Sequence, residues 1–133
     1  EEARSELDAA VRLSTGPAQK QAVALLYQEL GALDQAVAVL ESLAKQWPGQ
    51  AAYRKDLGVA QYLAGSPEAA VASLTEAVRL DASLLDGYLS MGMALAALGR
   101  YDEAIAAYDL APPALRGPLA AARRDALSKR KRP

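Results

Sequence analysis

Few residues of this chain have the types and spacing that chemistry needs. Among its 133 residues there is no histidine and no cysteine, which removes the commonest acid–base group and metal ligand together with thiol nucleophiles and disulfides. Gly87 and Gly92 have the glycine spacing of a phosphate-binding loop, but Met93 stands where that loop's lysine belongs, and the segment phases as helix. Asp102 and Glu103 are adjacent acids at the start of a helical pattern, where negative charge complements the helix dipole. With no nucleophile elbow and no metal-ligand cluster, neither an enzyme nor a cofactor site is expected.

The side chains that do gather are cationic. Residues 1–113 carry 8 basic and 15 acidic side chains, a net of −7, whereas residues 114–133 carry 7 basic and 1 acidic, a net of +6. The cations cluster in Arg123-Arg124 and Lys129-Arg130-Lys131-Arg132. Such a tail can touch nucleic acid, a membrane surface or an acidic partner, or it can serve as a solvated helix end that favours the C-terminal dipole. Without interleaved aromatics and on an acidic body, nucleic acid is the lesser reading, and so is a membrane surface. No apolar run approaches the roughly 20 residues of a membrane-spanning helix. The chain opens on Glu1 rather than Met, which leaves room for an upstream tag, signal or domain. Arg outnumbers Lys 10 to 5 and Ala is abundant, as in proteins of GC-rich bacteria; the compartment stays open, with cytoplasm slightly ahead of periplasm.

The elements that position these residues repeat. Gly31, Gly65 and Gly99 stand 34 residues apart. Eight residues before each glycine come Val23, Leu57 and Met91, each followed by a small residue: Ala24, Gly58 and Gly92. Five residues after it come Ala36, Ala70 and Ala104, and four further on Leu40, Leu74 and Tyr108. Between these landmarks the apolar pattern is helical, and glycine just past a helix end takes the left-handed cap without a Cβ clash. The spacing predicts helix pairs at 17–30 with 33–47, 51–64 with 67–80, and 85–98 with 101–110. Ser66-Pro67-Glu68 reads as N-cap, first-turn proline and dipole-matched acid. The small residues Ala24, Gly58 and Gly92 are expected to oppose Ala36, Ala70 and Ala104 where the helices of a pair approach. Trp47, Tyr53, Tyr88 and Tyr101 are expected to pack at hairpin ends or between repeats.

Both ends depart from the period. Leu7, Ala10, Val11, Arg12 and Leu13 match Leu74, Ala77, Val78, Arg79 and Leu80 at an offset of 67. Residues 1–14 therefore read as the second helix of an earlier, partial repeat, with one residue lost in the turn Ser14-Thr15-Gly16-Pro17. Pro112-Pro113 shortens the last repeat helix, and residues 118–129 place Leu119, Ala122, Ala126 and Leu127 on one face. A final helix covering the open end of the stack is expected there, with residues 130–133 poorly ordered.

This 34-residue pattern resembles the tetratricopeptide repeat family. The resemblance is strong over residues 17–111, with repeats at 17–50, 51–84 and 85–111 and a capping helix and basic tail at 112–133. It departs at Lys20 and Arg54, where the family has a bulky apolar residue that returns as Tyr88, and at Ala82, where it has proline. It implies an all-α, right-handed superhelix of about three helix-turn-helix repeats. Its first helices would line a concave groove that holds a protein or peptide without catalysis. In that geometry the groove-facing residues are Gln21, Leu25 and Gln28, then Lys55, Val59 and Tyr62, then Asp86, Leu89, Met93 and Ala96. Leu25, Val59 and Met93 form an apolar stripe, with Tyr62 and Leu89 beside it. Chaperone-binding members clamp C-terminal carboxylates with basic groove residues, but the matching positions here are Gln21, Leu25, Asp56, Asp86 and Ser90, none of them basic. The expected function is an interaction scaffold for an apolar or amphipathic segment. The alternatives are a self-assembly or oligomerisation module that stacks end to end or dimerises through its terminal helices, and the interaction domain of a larger protein.

Overall fold

The computed structural model describes residues 1–13 and 16–130, all-α and without a strand among them. Eight helices follow in order: α1 Glu2–Leu13, α2 Pro17–Glu29, α3 Leu33–Gln46, α4 Ala51–Leu63, α5 Pro67–Leu80, α6 Leu85–Ala97, α7 Tyr101–Asp109 and α8 Pro113–Arg130. Each packs on the next in sequence. Ser14, Thr15 and 131–133 lie outside the described residues, so the lost residue in the first turn and the disorder expected at 131–133 do too.

Each hairpin closes with the same backbone device. Gly31, Gly65 and Gly99 have φ of 78°, 86° and 75°, a region that only glycine enters cheaply. The residue after each glycine donates its N–H back across the last turn: Ala32 to Tyr27, Ser66 to Gln61 and Arg100 to Leu95, at 2.8, 2.9 and 3.0 Å. The glycine N–H bonds one residue further along, to Gln28, Tyr62 and Ala96. These paired bonds are the Schellman motif, which satisfies the orphan carbonyls of one helix while it launches the next. Ala32, Ser66 and Arg100 all take ψ of 67°. The turn thus sets the backbone whatever the side chain, and Ser66, expected as a capping hydroxyl, makes no side-chain cap bond.

Close approach within the hairpins has a different partner from the one the spacing suggests. A Cβ placed on Gly58 would lie 2.5 Å from Cγ of Leu74, and one on Gly92 would run into the ring of Tyr108. Glycine therefore accommodates the large residue of the second helix rather than the alanines, although Ala36, Ala70 and Ala104 are fully buried. The reason is size: the long side chain covers the bare backbone and seals the pair. Of the aromatics, Tyr88 is buried and its hydroxyl donates to the Ala82 carbonyl at 3.0 Å. Trp47 instead lies on the surface, edge-on to Tyr53 at 6.5 Å.

The core divides into two clusters. One gathers Val23, Tyr27, Leu40, Leu43 and Leu57; the other gathers Leu74, Tyr88, Met91, Leu95, Tyr108, Leu119 and Ala126. The final helix begins at Pro113, five residues earlier than expected, and runs through Pro118 to Arg130. Pro113 costs nothing as the first helical residue because the N–H it lacks has no partner there. Pro118 does remove an interior donor, but the apolar face of Leu115, Leu119, Ala122 and Ala126 stays continuous against the second cluster and holds the helix together. Arg130, expected to be disordered, ends the helix in an ion pair with Asp102 at 3.2 Å.

Candidate functional site

The helix layers define a concave side. Each repeat's first helix touches the next repeat's first helix, α2 to α4 and α4 to α6, and α8 continues the row by packing on α6. Among the described residues the second helices α3, α5 and α7 make no mutual contact. A stack whose inner row touches and whose outer row is splayed curves toward the inner row. The residues assigned to the groove all lie on α2, α4 and α6.

They divide by chemistry along the groove. At the N-terminal half, Asp56 is the one buried charged residue among the described residues, 6% exposed. Gln21 Nε2 donates to its Oδ2 at 2.7 Å, and Lys55 Nζ lies 3.0 Å from its Oδ1. A buried carboxylate demands such partners, so two of the groove's polar side chains are already occupied. Gln28 is half-buried, and its Oε1 is enclosed without a hydrogen-bond partner. Asp86 is exposed in the first turn of α6.

Beyond this polar patch the surface is apolar. Leu25 and Met93 are 38% and 40% exposed, with Val59 between them in repeat phase and half-buried. Tyr62, Leu89 and Ala96 are half-buried against the second core cluster. Where the groove meets α8, a cavity of about 280 Å³ is lined by Tyr62, Met93, Ala96, Tyr108 and Ala122 together with Asp125 and Lys129. Asp125 and Lys129 pair at 3.0 Å. Burial pushes the Tyr108 phenol up, and Asp125 and Tyr62 push it further, so this hydroxyl stays protonated as a donor. The α8 wall of the cavity was not assigned to the groove. Its helical phase was visible in Leu119, Ala122 and Ala126, but which side of α6 that helix covers is a tertiary outcome.

No group of three or more acidic, histidine or cysteine side chains converges as a metal site among the described residues. No described helix is long and apolar enough to cross a membrane.

Comparison with known proteins points the same way. Two tetratricopeptide repeat matches cover residues 22–84 and 85–111. A search of curated proteins finds no match. Among solved structures, a T3SS complex from Aeromonas hydrophila is similar with a TM-score of 0.80 at 17% identity, over 96% of this chain and 91% of that one. PcrH, solved in complex with the chaperone binding region of PopD, is similar with a TM-score of 0.77 at 20% identity, over 86% and 92%. MamA follows at 0.72 and 19%, over 94% and 85%. At these identities the likeness is one of fold. Together with the threefold glycine turn and the touching row of first helices, the repeat matches identify the chain as a member of the tetratricopeptide repeat family, a non-catalytic protein-binding scaffold.

Proposed function

We propose that the concave face binds an apolar or amphipathic segment of another protein, with Leu25, Val59, Tyr62, Leu89, Met93 and Ala96 as the contact surface and Gln21, Gln28, Lys55 and Asp86 at its polar margins. The observation that carries this reading is the stripe of Leu25, Val59 and Met93, one residue from each repeat, with its two outer members substantially exposed. Contiguous exposed apolar surface on a protein marks a contact site. The similar PcrH holds a region of PopD, which supports a segment of another chain as the ligand. The absence of basic residues at Gln21, Leu25, Asp56, Asp86 and Ser90 argues against a terminal carboxylate as the anchor, because no guanidinium fork faces the groove there.

The test is a pull-down from source-cell lysate with wild type against Val59→Glu and Met93→Glu. Each variant should lose the captured partner while keeping its helical circular dichroism. A carboxylate pressed unpaired against an apolar ligand costs on the order of several kcal/mol, ample to be seen. Variants that fold and still capture the partner place the contact elsewhere; variants that unfold make the stripe core.

A further inference from the structure

The two ends of the stack carry matching chemistry, and we propose that one copy of the chain docks its C-terminal end onto the N-terminal end of the next. At the N-terminal end, α1 and α2 leave between them a cleft of about 290 Å³ lined by Ala3, Leu7, Leu26 and Leu30 and rimmed by Glu6 and Glu29. Leu26 and Leu30 are 46% and 51% exposed. Neither glutamate has an ion-pair partner among the described residues. This is a largely apolar slot whose lining includes two carboxylates without an ion pair.

The C-terminal end presents the converse. Leu110, 66% exposed, projects from the turn between α7 and α8. Beside it Arg116 is tethered through Nε to the Ala111 carbonyl at 3.1 Å, and its charge also acts on the Asp109 carboxylate. Arg124 is exposed and makes no ion pair among the described residues. Arg116 and Arg124 are eight residues apart on one helix, about 12 Å along its axis. The other described cations of α8 are already engaged, Arg123 with Asp109, Lys129 with Asp125 and Arg130 with Asp102. What is left over is an exposed apolar knob, followed by a helix on which Arg124 makes no ion pair among the described residues and Arg116 is bonded to a backbone carbonyl. The second copy seats Leu110 in the cleft and sets Arg116 against Glu6 and Arg124 against Glu29.

The occupant is a second copy because charge and apolarity are complementary between the two ends and not within either. Like ends repel, which disfavours a two-fold dimer through either face. A head-to-tail contact uses different surfaces on its two sides and does not close on itself unless the rotation returns to the start, so it generates chains of growing length. The contact also covers the end of the stack that α1 leaves half-open, as a solenoid terminus requires.

Sedimentation velocity of the full chain over a concentration series at low and high salt tests this. Wild type should give a weight-average mass that rises with concentration and falls back at high salt, since rim ion pairs are screened. Glu29→Arg alone and Arg124→Glu alone should each stay monomeric, with unchanged circular dichroism, because each sets like charges together. An equal mixture of the two should assemble again, since every interface in an alternating chain then pairs opposite charges. A monomeric wild type at all concentrations, a mass that levels off at a dimer, or a mixture that stays monomeric would overturn the proposal. Should either reversal unfold the chain, Leu110→Ser, on an exposed turn, is the substitute, and assembly at wild-type strength would equally overturn it.

Discussion

Helices α1 and α5 carry the same residues in the same phase and have different fates. Leu74, Ala77 and Val78 of α5 are buried, the first two completely, because α4 and α6 lie against the two sides of that helix. Their counterparts in α1, Leu7, Ala10 and Val11, are only half-buried, and Leu13, matching Leu80, is 80% exposed. No residue of α1 is buried, since among the described helices only α2 packs against it. The lesson is that a repeat position specifies which face turns inward, while burial depends on whether a neighbour exists to complete the layer. At the opposite end the chain supplies that neighbour itself: α8 covers the last hairpin with Leu119 and Ala126. One end of the stack is capped by packing and the other is held by little more than its first contact.

The sharpest way to break this comparison is to truncate the matched leucines. Leu74→Ala should cost about 2–5 kcal/mol, as a fully buried leucine replaced by a cavity does. Leu7→Ala should cost roughly 1 kcal/mol, in proportion to the smaller apolar area it hides. Urea unfolding followed by circular dichroism measures both. Equal costs would show that α1 is as integral as α5.

Deleting residues 117–133 should come next in size. Without Leu119 and Ala126 the second cluster, including Tyr108 and Ala111, faces water, and the melting temperature should fall or the protein should associate. A monomeric deletion with unchanged melting would mean that α8 caps nothing of energetic consequence, and the asymmetry between the ends would vanish.

The hydrogen bond from the Tyr27 hydroxyl to the Asp8 carboxylate fastens α1 to α2, and its loss is a smaller effect. Tyr27→Phe should cost about 1 kcal/mol, somewhat more if Asp8 is left without a substitute donor. Burial, and then the bond and charge of Asp8, push the Tyr27 phenol up to about 12 from an ordinary 10.0. A phenol whose value is raised on folding contributes stability that is fully present below pH 10 and is lost as pH climbs toward 12. Wild type should therefore destabilise over that window more steeply than Tyr27→Phe. Parallel profiles would show that the bond does not hold in solution.

Least of all should the surface staples matter. Arg123 bonds both oxygens of Asp109, at 2.7 and 3.0 Å, joining α8 to α7, and this holds the Asp109 carboxyl below its ordinary range. That contribution is present above the ordinary carboxylate range and fades as pH falls through the depressed value. Arg123→Ala should lower the melting temperature only slightly, and less still in high salt. A larger loss in thermal melts would make α8 an electrostatically held cap rather than a packed one.

Much of this molecule was legible in its sequence because helices joined by a fixed turn leave a period. The glycines at 31, 65 and 99 announce a left-handed backbone position, and they reveal three hairpins without any alignment. The ten residues assigned to the groove through the family's geometry lie on the first helices. What sequence reasoning missed depends on contacts between helices. The partners of Gly58 and Gly92 are Leu74 and Tyr108, and no spacing rule names them, since it depends on how deeply two helices interlock. Lys55 and Gln21, assigned to the groove, also serve the buried Asp56, Lys55 from the preceding position on α4 and Gln21 from α2, 35 residues away in sequence.

The chain's own residues thus determined the helices, their order and the face that each turns to its neighbour, because those depend on local backbone preferences and a 3.6-residue period. Only the assembled stack decided how deeply equivalent residues are buried, where α8 closes the groove, and which charges remain unpaired at the two ends. Those outcomes depend on the presence and placement of neighbouring helices, and a repeat reads the same in sequence whether or not a neighbour stands beside it.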